Sequence, residues 1–143
     1  MTRLPDWQSR LNTFLLAHQS EPFRYGRFDC CLFVCEAISV MTGVDPAAGF
    51  RETYSTRAGA RRALVSYCGT ASVRAFAEAF TAKYGMRESA TVLHAQRGDA
   101  ALIERSRDYS LGLIALNGRE IVVASSLGLS MAPLSSAVRS WHV

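Results

Sequence analysis

The chain has 143 residues, of which 49% are hydrophobic and 20% are charged, and this balance excludes an intrinsically disordered protein. Its net charge of +4 comes almost entirely from arginines that are scattered rather than gathered into a basic stripe with interleaved aromatic residues, so we expect no nucleic-acid binding. No stretch approaches the roughly 18 uninterrupted apolar residues of a membrane span or the pattern of a signal peptide, so we expect one cytosolic domain over residues 1–143 with no membrane span.

The first predicted element is an amphipathic helix from Pro5 to about Gln19. Its apolar face consists of residues that recur at helical spacing, namely Trp7, Leu11, Phe14, Leu15 and His18. Since His18 falls on this face near the helix end, we expect it to pack or to interact with the helix dipole rather than to act in catalysis.

The second predicted helix, from Cys30 to Thr42, is the element around which we expect the chain to be organised. Asp29 precedes it as the N-cap, where its carboxylate can accept hydrogen bonds from backbone N–H groups, and Gly43 is typical of the position just past a helix end. A thiol at the first helical position faces unpaired N–H groups and the positive end of the dipole, which favour the thiolate. Cys30 is therefore either a nucleophile or a small buried residue.

The other cysteines indicate packing rather than chemistry. Cys31 and Cys35 lie on one apolar stripe of the helix, so we expect both to be buried. Without a signal peptide the chain meets reducing conditions, so all four cysteines should be free thiols. Their spacing, with Cys68 far from the rest, matches none of the usual zinc patterns, and we expect no metal and no cofactor.

Two more helices and an irregular connection complete the N-terminal half. Val44–Thr56 contains turn-forming residues, and within it Arg51 and Tyr54 either pin the segment or line a cleft, with pinning the favoured role. The apolar spacing then predicts one helix over Ala58–Tyr67 and another over Ser72–Lys83, with the serine as its cap.

The C-terminal half predicts strands. Short apolar runs are separated by polar turn residues, and these runs are Thr91–Leu93, Ala100–Ile103, Leu111–Leu116, Ile121–Ala124 and Leu129–Ala132. Asn117-Gly118 between two of them is a strong hairpin signal, and Pro133–Arg139 is predicted to be a short helix. Helices followed by antiparallel strands predict an α+β fold in which the cysteine helix packs on the sheet.

The order of these motifs resembles that of papain-like cysteine peptidases in their small NlpC-like form. That family has an aromatic-x-aromatic-Gly loop before Asp-Cys-Ser-Gly, and here Phe23-Arg24-Tyr25-Gly26 precedes Asp29-Cys30-Cys31-Leu32. It also has Gly-Asp before a strand of the type His-Val-Gly-Ile-Tyr, and here Gly98-Asp99 precedes Ser110-Leu111-Gly112-Leu113-Ile114. The resemblance implies a papain-like fold with Cys30 at the position of the nucleophile.

A narrower resemblance is to a family of small phage tail-assembly proteins. It rests on Gly-x-x-Asp-Cys-Cys-Leu-Phe-Val, Thr-Gly-Val-Asp-Pro-Ala, Phe-Arg-x-x-Tyr, Arg-Gly-Asp, Leu-Gly-Leu and the closing Trp141-His142-Val143. In related tails an NlpC-like module sits at the tail tip near the hub. The resemblance implies a place in the virion tail, reached from the host cytoplasm, with tail-tip or hub proteins as partners, or else cleavage of peptidoglycan peptide stems during genome entry.

The chain departs from the peptidase pattern where the catalytic base should be. Cysteine peptidases use a histidine to take the thiol proton and to protonate the leaving amine, and the resemblance implies Ser110 at that position. The position of the group that orients the histidine falls near Val123, and the first tyrosine of the family's loop is Phe23. His94 is a weak candidate base because no orienting partner is visible beside it, and His142 is expected to be exposed.

Two functions stay open after these departures. We favour a structural component of a phage tail tip, a degenerate peptidase docked on the hub, over an active cysteine peptidase in which His94 or a partner chain supplies the base for Cys30. Without an imidazolium we expect the pKa of that thiol to lie nearer the ordinary value than a catalytic one. We expect the thiol to border a groove beside the strand that holds Ser110, and the docking surface to include the loop Phe50–Arg57.

Overall fold

Helices fill the first half of the chain and strands fill the second. The computed structural model describes residues 1–106 and 108–143. Within them the α-helices and strands are α1 (Trp7–Ala17), α2 (Cys30–Thr42), α3 (Arg57–Cys68), α4 (Val73–Lys83), β1 (Ala100–Arg105), β2 (Asp108–Ile114), β3 (Glu120–Ser125), β4 (Gly128–Pro133) and β5 (Ala137–Trp141). The predicted α+β fold is confirmed, as are the four predicted helices. Over the part of the chain that the structure describes, no helix has the length and apolar character needed to cross a bilayer.

Side-chain caps set where three of the helices begin. The Asp29 carboxylate accepts a hydrogen bond from the Leu32 N–H at 3.0 Å, which confirms it as the N-cap of α2. Gly43 follows that helix with a φ of 77°, a left-handed conformation that glycine adopts without a side-chain clash. Thr56 and Ser72 cap α3 and α4 through their hydroxyl groups. The local sequence therefore determines these helix starts.

α2 is the central element of the core. It packs against α1 and against β2, and its fully buried residues are Leu32, Phe33, Val34, Cys35, Ala37, Ile38 and Met41. Cys31 is 5% exposed, so the predicted burial of Cys31 and Cys35 is confirmed. A helix that is apolar on nearly all sides is stable only in the interior, which explains why the cysteine helix lies between another helix and the sheet.

The strands form one antiparallel sheet in the order β4-β3-β2-β1-β5. Alternate residues of a strand face opposite sides of the sheet. One face packs on the helices through residues that include Leu102, Leu113 and Val122. The other face buries a second cluster, which consists of Ala101, Ile103, Ile114, Ile121 and Val123. Both faces are therefore covered by apolar contacts.

The sheet is strongly curled because its two edge strands are consecutive in the chain. β4 ends at Pro133, β5 begins at Ala137, and the 3-10 turn Leu134–Ser136 joins them. Four Cα steps span at most about 14 Å, whereas the edges of a flat five-stranded sheet lie roughly 19 Å apart. Curling closes this gap and encloses the second cluster, against which Leu134 and Ala137 pack.

Two of the predicted elements are wrong. The Thr91–Leu93 run is part of a 3-10 turn, Val92–His94, and pairs with no strand among the described residues. Pro133–Arg139, predicted as a helix, instead contains the 3-10 turn and the first part of β5, which pairs with β1. Hydrogen bonds to β1 and the burial of Trp141, which is 2% exposed, outweigh a local helix preference.

Candidate functional site

A cleft opens where the N-terminus of α2 meets α3, the start of β2 and the aromatic loop before α2. Its volume is about 220 Å³, and its walls combine a thiol, hydroxyl groups, arginines and aliphatic side chains, among them Cys30, Ser110, Tyr54, Arg57, Arg61 and Leu64. The structure thus places Cys30 and Ser110, two residues singled out from the sequence, on the same cleft.

Ser110 reaches this cleft because β2 separates from β3 at its first half. Across the described residues, β2 pairs with β3 only at Leu113 and Ile114, whereas its pairing with β1 continues through Ser110 to Asp108. The Leu111 backbone N–H is therefore free of β3 and can face the first turn of α2. The start of α2 therefore lies beside the part of β2 that β3 does not pair with.

Asp29 holds three parts of the site together. Besides capping α2, its carboxylate accepts hydrogen bonds from the Gly26 N–H at 3.0 Å and from the Tyr54 hydroxyl at 2.5 Å. Gly26 has a φ of 79°, and a Cβ added there would lie 1.7 Å from the Tyr54 carbonyl oxygen, so this close approach requires glycine. The aromatic loop, the helix start and Tyr54 are therefore fixed at one carboxylate that is 4% exposed.

Hydrogen-bond donors around the Cys30 sulfur favour its thiolate form. The pKa of the Cys30 thiol is lowered, and the largest cause is a hydrogen bond from the Cys31 thiol. The Leu111 N–H and the Ser110 hydroxyl act in the same direction, whereas burial and the Asp29 carboxylate oppose them. The pKa of the Cys31 thiol is raised, first by its hydrogen bond to Cys30 and then by burial, so Cys31 keeps its proton and remains a donor.

None of the three histidines lines the cleft. His94 lies exposed in the 3-10 turn Val92–His94. The ring of His18 stacks on Phe28 with 5.2 Å between ring centroids, which agrees with the packing role predicted for it. Val123, at the position implied for the orienting group, is buried in the apolar cluster on the other face of the sheet. The described residues of the cleft therefore contain no imidazole that could act as a base for Cys30.

His142 belongs to a buried network that sequence analysis missed. Its Nδ1 lies 2.8 Å from an Asp99 carboxylate oxygen, and its Nε2 lies 3.3 Å from the Ser89 hydroxyl. Its side chain is 20% exposed, so the prediction that it is exposed is wrong. Asp99 also accepts a hydrogen bond from Arg3 at 2.6 Å. The arrangement fastens both chain ends to β1, and neither Ser89 nor His142 lines the cleft.

The chemistry available to the cleft is that of a thiol whose thiolate form is favoured, with no histidine among the described residues around it. A thiolate can attack a peptide carbonyl, but collapse of the tetrahedral intermediate needs a proton for the leaving amine. The Ser110 hydroxyl can donate a hydrogen bond but does not hold an ionisable proton near neutral pH as imidazole does. Among the described residues of the cleft, no imidazole can supply that proton.

The influences on the Cys30 thiol predict how it reacts with iodoacetamide. Because donors lower the pKa of this thiol, alkylation should reach half its maximal rate at a lower pH than alkylation of an ordinary exposed thiol does. Because no imidazolium faces the sulfur, the rate should still fall at acidic pH. Mass spectrometry of the alkylated peptides at a series of pH values measures the midpoint and the fall in rate. Cys31→Ala should move the midpoint upward more than Ser110→Ala, and an unchanged midpoint in Cys31→Ala would contradict the assigned donor.

Comparison with known proteins identifies the family of the chain. The model described as a domain of unknown function (DUF6950) matches residues 2–143, nearly the whole length, so the chain belongs to that family. No curated protein and no solved structure matches the chain. The description of the family states no activity, and the function is therefore inferred from the cleft.

Proposed function

We propose that this member of the DUF6950 family is a structural component of a phage tail tip, with a papain-like, NlpC-like fold whose cleft binds a partner instead of hydrolysing a peptide. The observation that carries the proposal is the cleft around Cys30, which has Ser110 and no histidine on its walls. The tail-tip location and the hub as partner come from the sequence motifs that resemble small phage tail-assembly proteins.

The loop expected to dock supports a structural role through its rigidity. The Arg51 guanidinium makes two hydrogen bonds to the Asp45 carboxylate, at 3.0 and 3.1 Å, and one to Glu36 at 3.2 Å. Phe50 is buried at 6% exposure. Arg51 thus has the pinning role predicted for it, and the loop presents the segment from Glu52 to Arg57 at a fixed position beside the cleft.

One observation favours a second candidate, an active cysteine peptidase that acts on peptidoglycan peptide stems. The lowered pKa of the Cys30 thiol and its place at the start of α2 are properties of a nucleophile. In this alternative a partner chain supplies the base, since His94 lies outside the cleft. The lack of a histidine among the described residues of the cleft places the alternative second.

Replacing Cys30 in the phage separates the two functions. In a structural module Cys30→Ala should leave particle yield and plaque formation unchanged, because no transition state depends on the sulfur. In a peptidase the same change removes the nucleophile and should abolish killing by intact particles. Electron microscopy counts tails and plaque assays score infection.

The matched control is Cys68→Ala, since Cys68 is a partly exposed thiol outside the cleft. If phage with Cys30→Ala assemble complete tails but fail to infect, while the control infects normally, the peptidase becomes the favoured function. Arg51→Glu is unsuitable as a docking probe, because it also breaks the ion pairs to Asp45 and Glu36.

A further inference from the structure

Five exposed arginines line the cleft or the hollows next to it, and we call this set the arginine rim: Arg24, Arg27, Arg57, Arg61 and Arg62. Two of them, Arg57 and Arg61, line the cleft itself from successive turns of α3. Arg24 and Arg27 line a neighbouring hollow that shares Tyr54 with the cleft, and Arg62 lines another that also shares Tyr54. Two rim arginines thus line the cleft itself, and the other three line hollows that adjoin it at Tyr54.

The rim arginines share their lack of ion pairs with four other described arginines, which are Arg87, Arg97, Arg105 and Arg119. The remaining described arginines form ion pairs with carboxylates of this chain, and these are Arg3, Arg10, Arg51, Arg74 and Arg139. Within residues 1–106 and 108–143 no rim arginine takes part in such a pair. The carboxylates near the mouth are Asp29, which is buried and hydrogen-bonded, and the exposed Asp108 and Glu52. At the cleft itself two exposed arginines, Arg57 and Arg61, thus stand beside one exposed carboxylate, that of Asp108.

The interior of the cleft is apolar on one side, beside the polar side chains of Cys30 and Ser110. Ala60 and Leu64 form the wall on α3, and Val73 at the start of α4 adds a third aliphatic side chain. The aromatic residues nearby pack on one another: Phe23 meets Tyr25 edge to face at 5.0 Å, and Phe50 stacks on Phe76 at 5.4 Å. Rings engaged in this way offer few free faces on which nucleic-acid bases could stack.

We propose that the cleft binds an extended acidic peptide segment of a partner protein, with one aliphatic side chain in the apolar interior and carboxylates against the arginine rim. The guanidinium group matches a carboxylate through two parallel hydrogen bonds, which favours arginine over other cations at such a mouth. The apolar interior distinguishes a peptide from an oligonucleotide, which has no aliphatic side chain to insert. This inference rests on the proposed binding function and specifies the chemistry of the partner.

The test measures binding of a labelled peptide, Asp-Glu-Leu-Glu-Asp, to the full chain by fluorescence anisotropy at low salt. Arg57→Glu with Arg61→Glu should weaken binding roughly tenfold or more. The control, Arg87→Glu with Arg119→Glu, removes the same charge from exposed positions outside the rim and should change binding less than about twofold. Glutamate at position 57, in the first turn of α3, is favourable to the helix dipole, and Arg61 is exposed on the second turn, so the rim variant should stay folded.

Three further probes decide the nature of the ligand. Asn-Gln-Leu-Gln-Asn lacks the side-chain carboxylates and should bind far more weakly than the acidic peptide if carboxylates are recognised. Asp-Glu-Gly-Glu-Asp lacks the leucine side chain and should also bind far more weakly if that side chain occupies the cleft. Oligothymidylate should bind less tightly than the acidic peptide. The inference is overturned by equal losses in the two double variants, by tighter binding of the oligonucleotide, or by no binding of the acidic peptide up to about 1 mM.

The same peptide separates this inference from the proposed function. Mass spectrometry should show the peptide uncleaved by the natural chain and by Cys30→Ala. Cleavage by the natural chain alone would overturn the binding-only function and leave acidic recognition standing. Absence of peptide binding, together with normal tails in the Cys30→Ala phage, would overturn only the acidic-peptide inference.

Discussion

Replacing Asp99 with alanine should lower the free energy of unfolding by about 3–5 kcal/mol, because it removes one partner of a buried ion pair. The Asp99 carboxylate has no exposed surface and accepts hydrogen bonds from Arg3, from His142 and from the Gln96 N–H at 2.6, 2.8 and 2.7 Å. Burial lowers the pKa of the Arg3 guanidinium, and the nearby carboxylate acts against this effect. Without the carboxylate, a largely buried guanidinium would keep its charge with no counter-charge.

Urea denaturation followed by circular dichroism measures this loss. Asp99→Asn should be milder than Asp99→Ala, since the amide oxygen can still accept a hydrogen bond from a backbone N–H. Asp6→Ala is the matched control, because Asp6 is an exposed carboxylate paired with Arg10 and its removal should leave the midpoint nearly unmoved. A loss below about 1 kcal/mol in Asp99→Ala would show that the network behaves as a surface ion pair.

The elements that sequence analysis predicted well are those whose signals lie close together in the chain. The cap at Asp29, the apolar helix behind it and the stop at Gly43 are all local, so α2 was predicted residue for residue. β5 was missed because its strand character comes from pairing with β1, which lies far away in the sequence. The Asp99 network was missed for the same reason, since Arg3 and His142 lie at opposite ends of the chain.

The candidate site was predictable only in part. The resemblance to the peptidase pattern brought Cys30 and Ser110 together in advance, and both line the cleft. The arginines of α3 were not singled out, although Arg57 and Arg61 stand four residues apart and so share a helix face. What the sequence does not show is that this face turns toward the start of α2, because that depends on how α3 packs against the rest of the core.

Replacing Asp29 with alanine should destabilise the chain by about 4 kcal/mol, the lower end of the sum of the contributions below, and loosen the cleft. An N-cap contributes about 1 kcal/mol, and each further hydrogen bond to a buried carboxylate contributes about 1.5–3 kcal/mol before the structure relaxes. The two further donors here are the Gly26 N–H and the Tyr54 hydroxyl. Denaturation in urea gives the loss, and thermal melting checks that the variant still unfolds cooperatively.

Asp29→Asn tests whether this carboxylate acts on Cys30 as well as on stability. Asparagine is a good N-cap, so α2 should still begin at Cys30. The side-chain NH₂ group of the asparagine would replace the carboxylate oxygen that now accepts the Tyr54 hydrogen bond, and it would place a donor there instead of an acceptor. Since the Asp29 charge raises the pKa of the Cys30 thiol, its removal should extend alkylation of Cys30 to lower pH even though the chain is less stable. Tyr54→Phe is the control, because it removes one hydrogen bond and keeps the charge. If the pH dependence of Cys30 alkylation shifts equally in Asp29→Asn and Tyr54→Phe, the shift comes from loosening of the cleft and not from loss of the Asp29 charge.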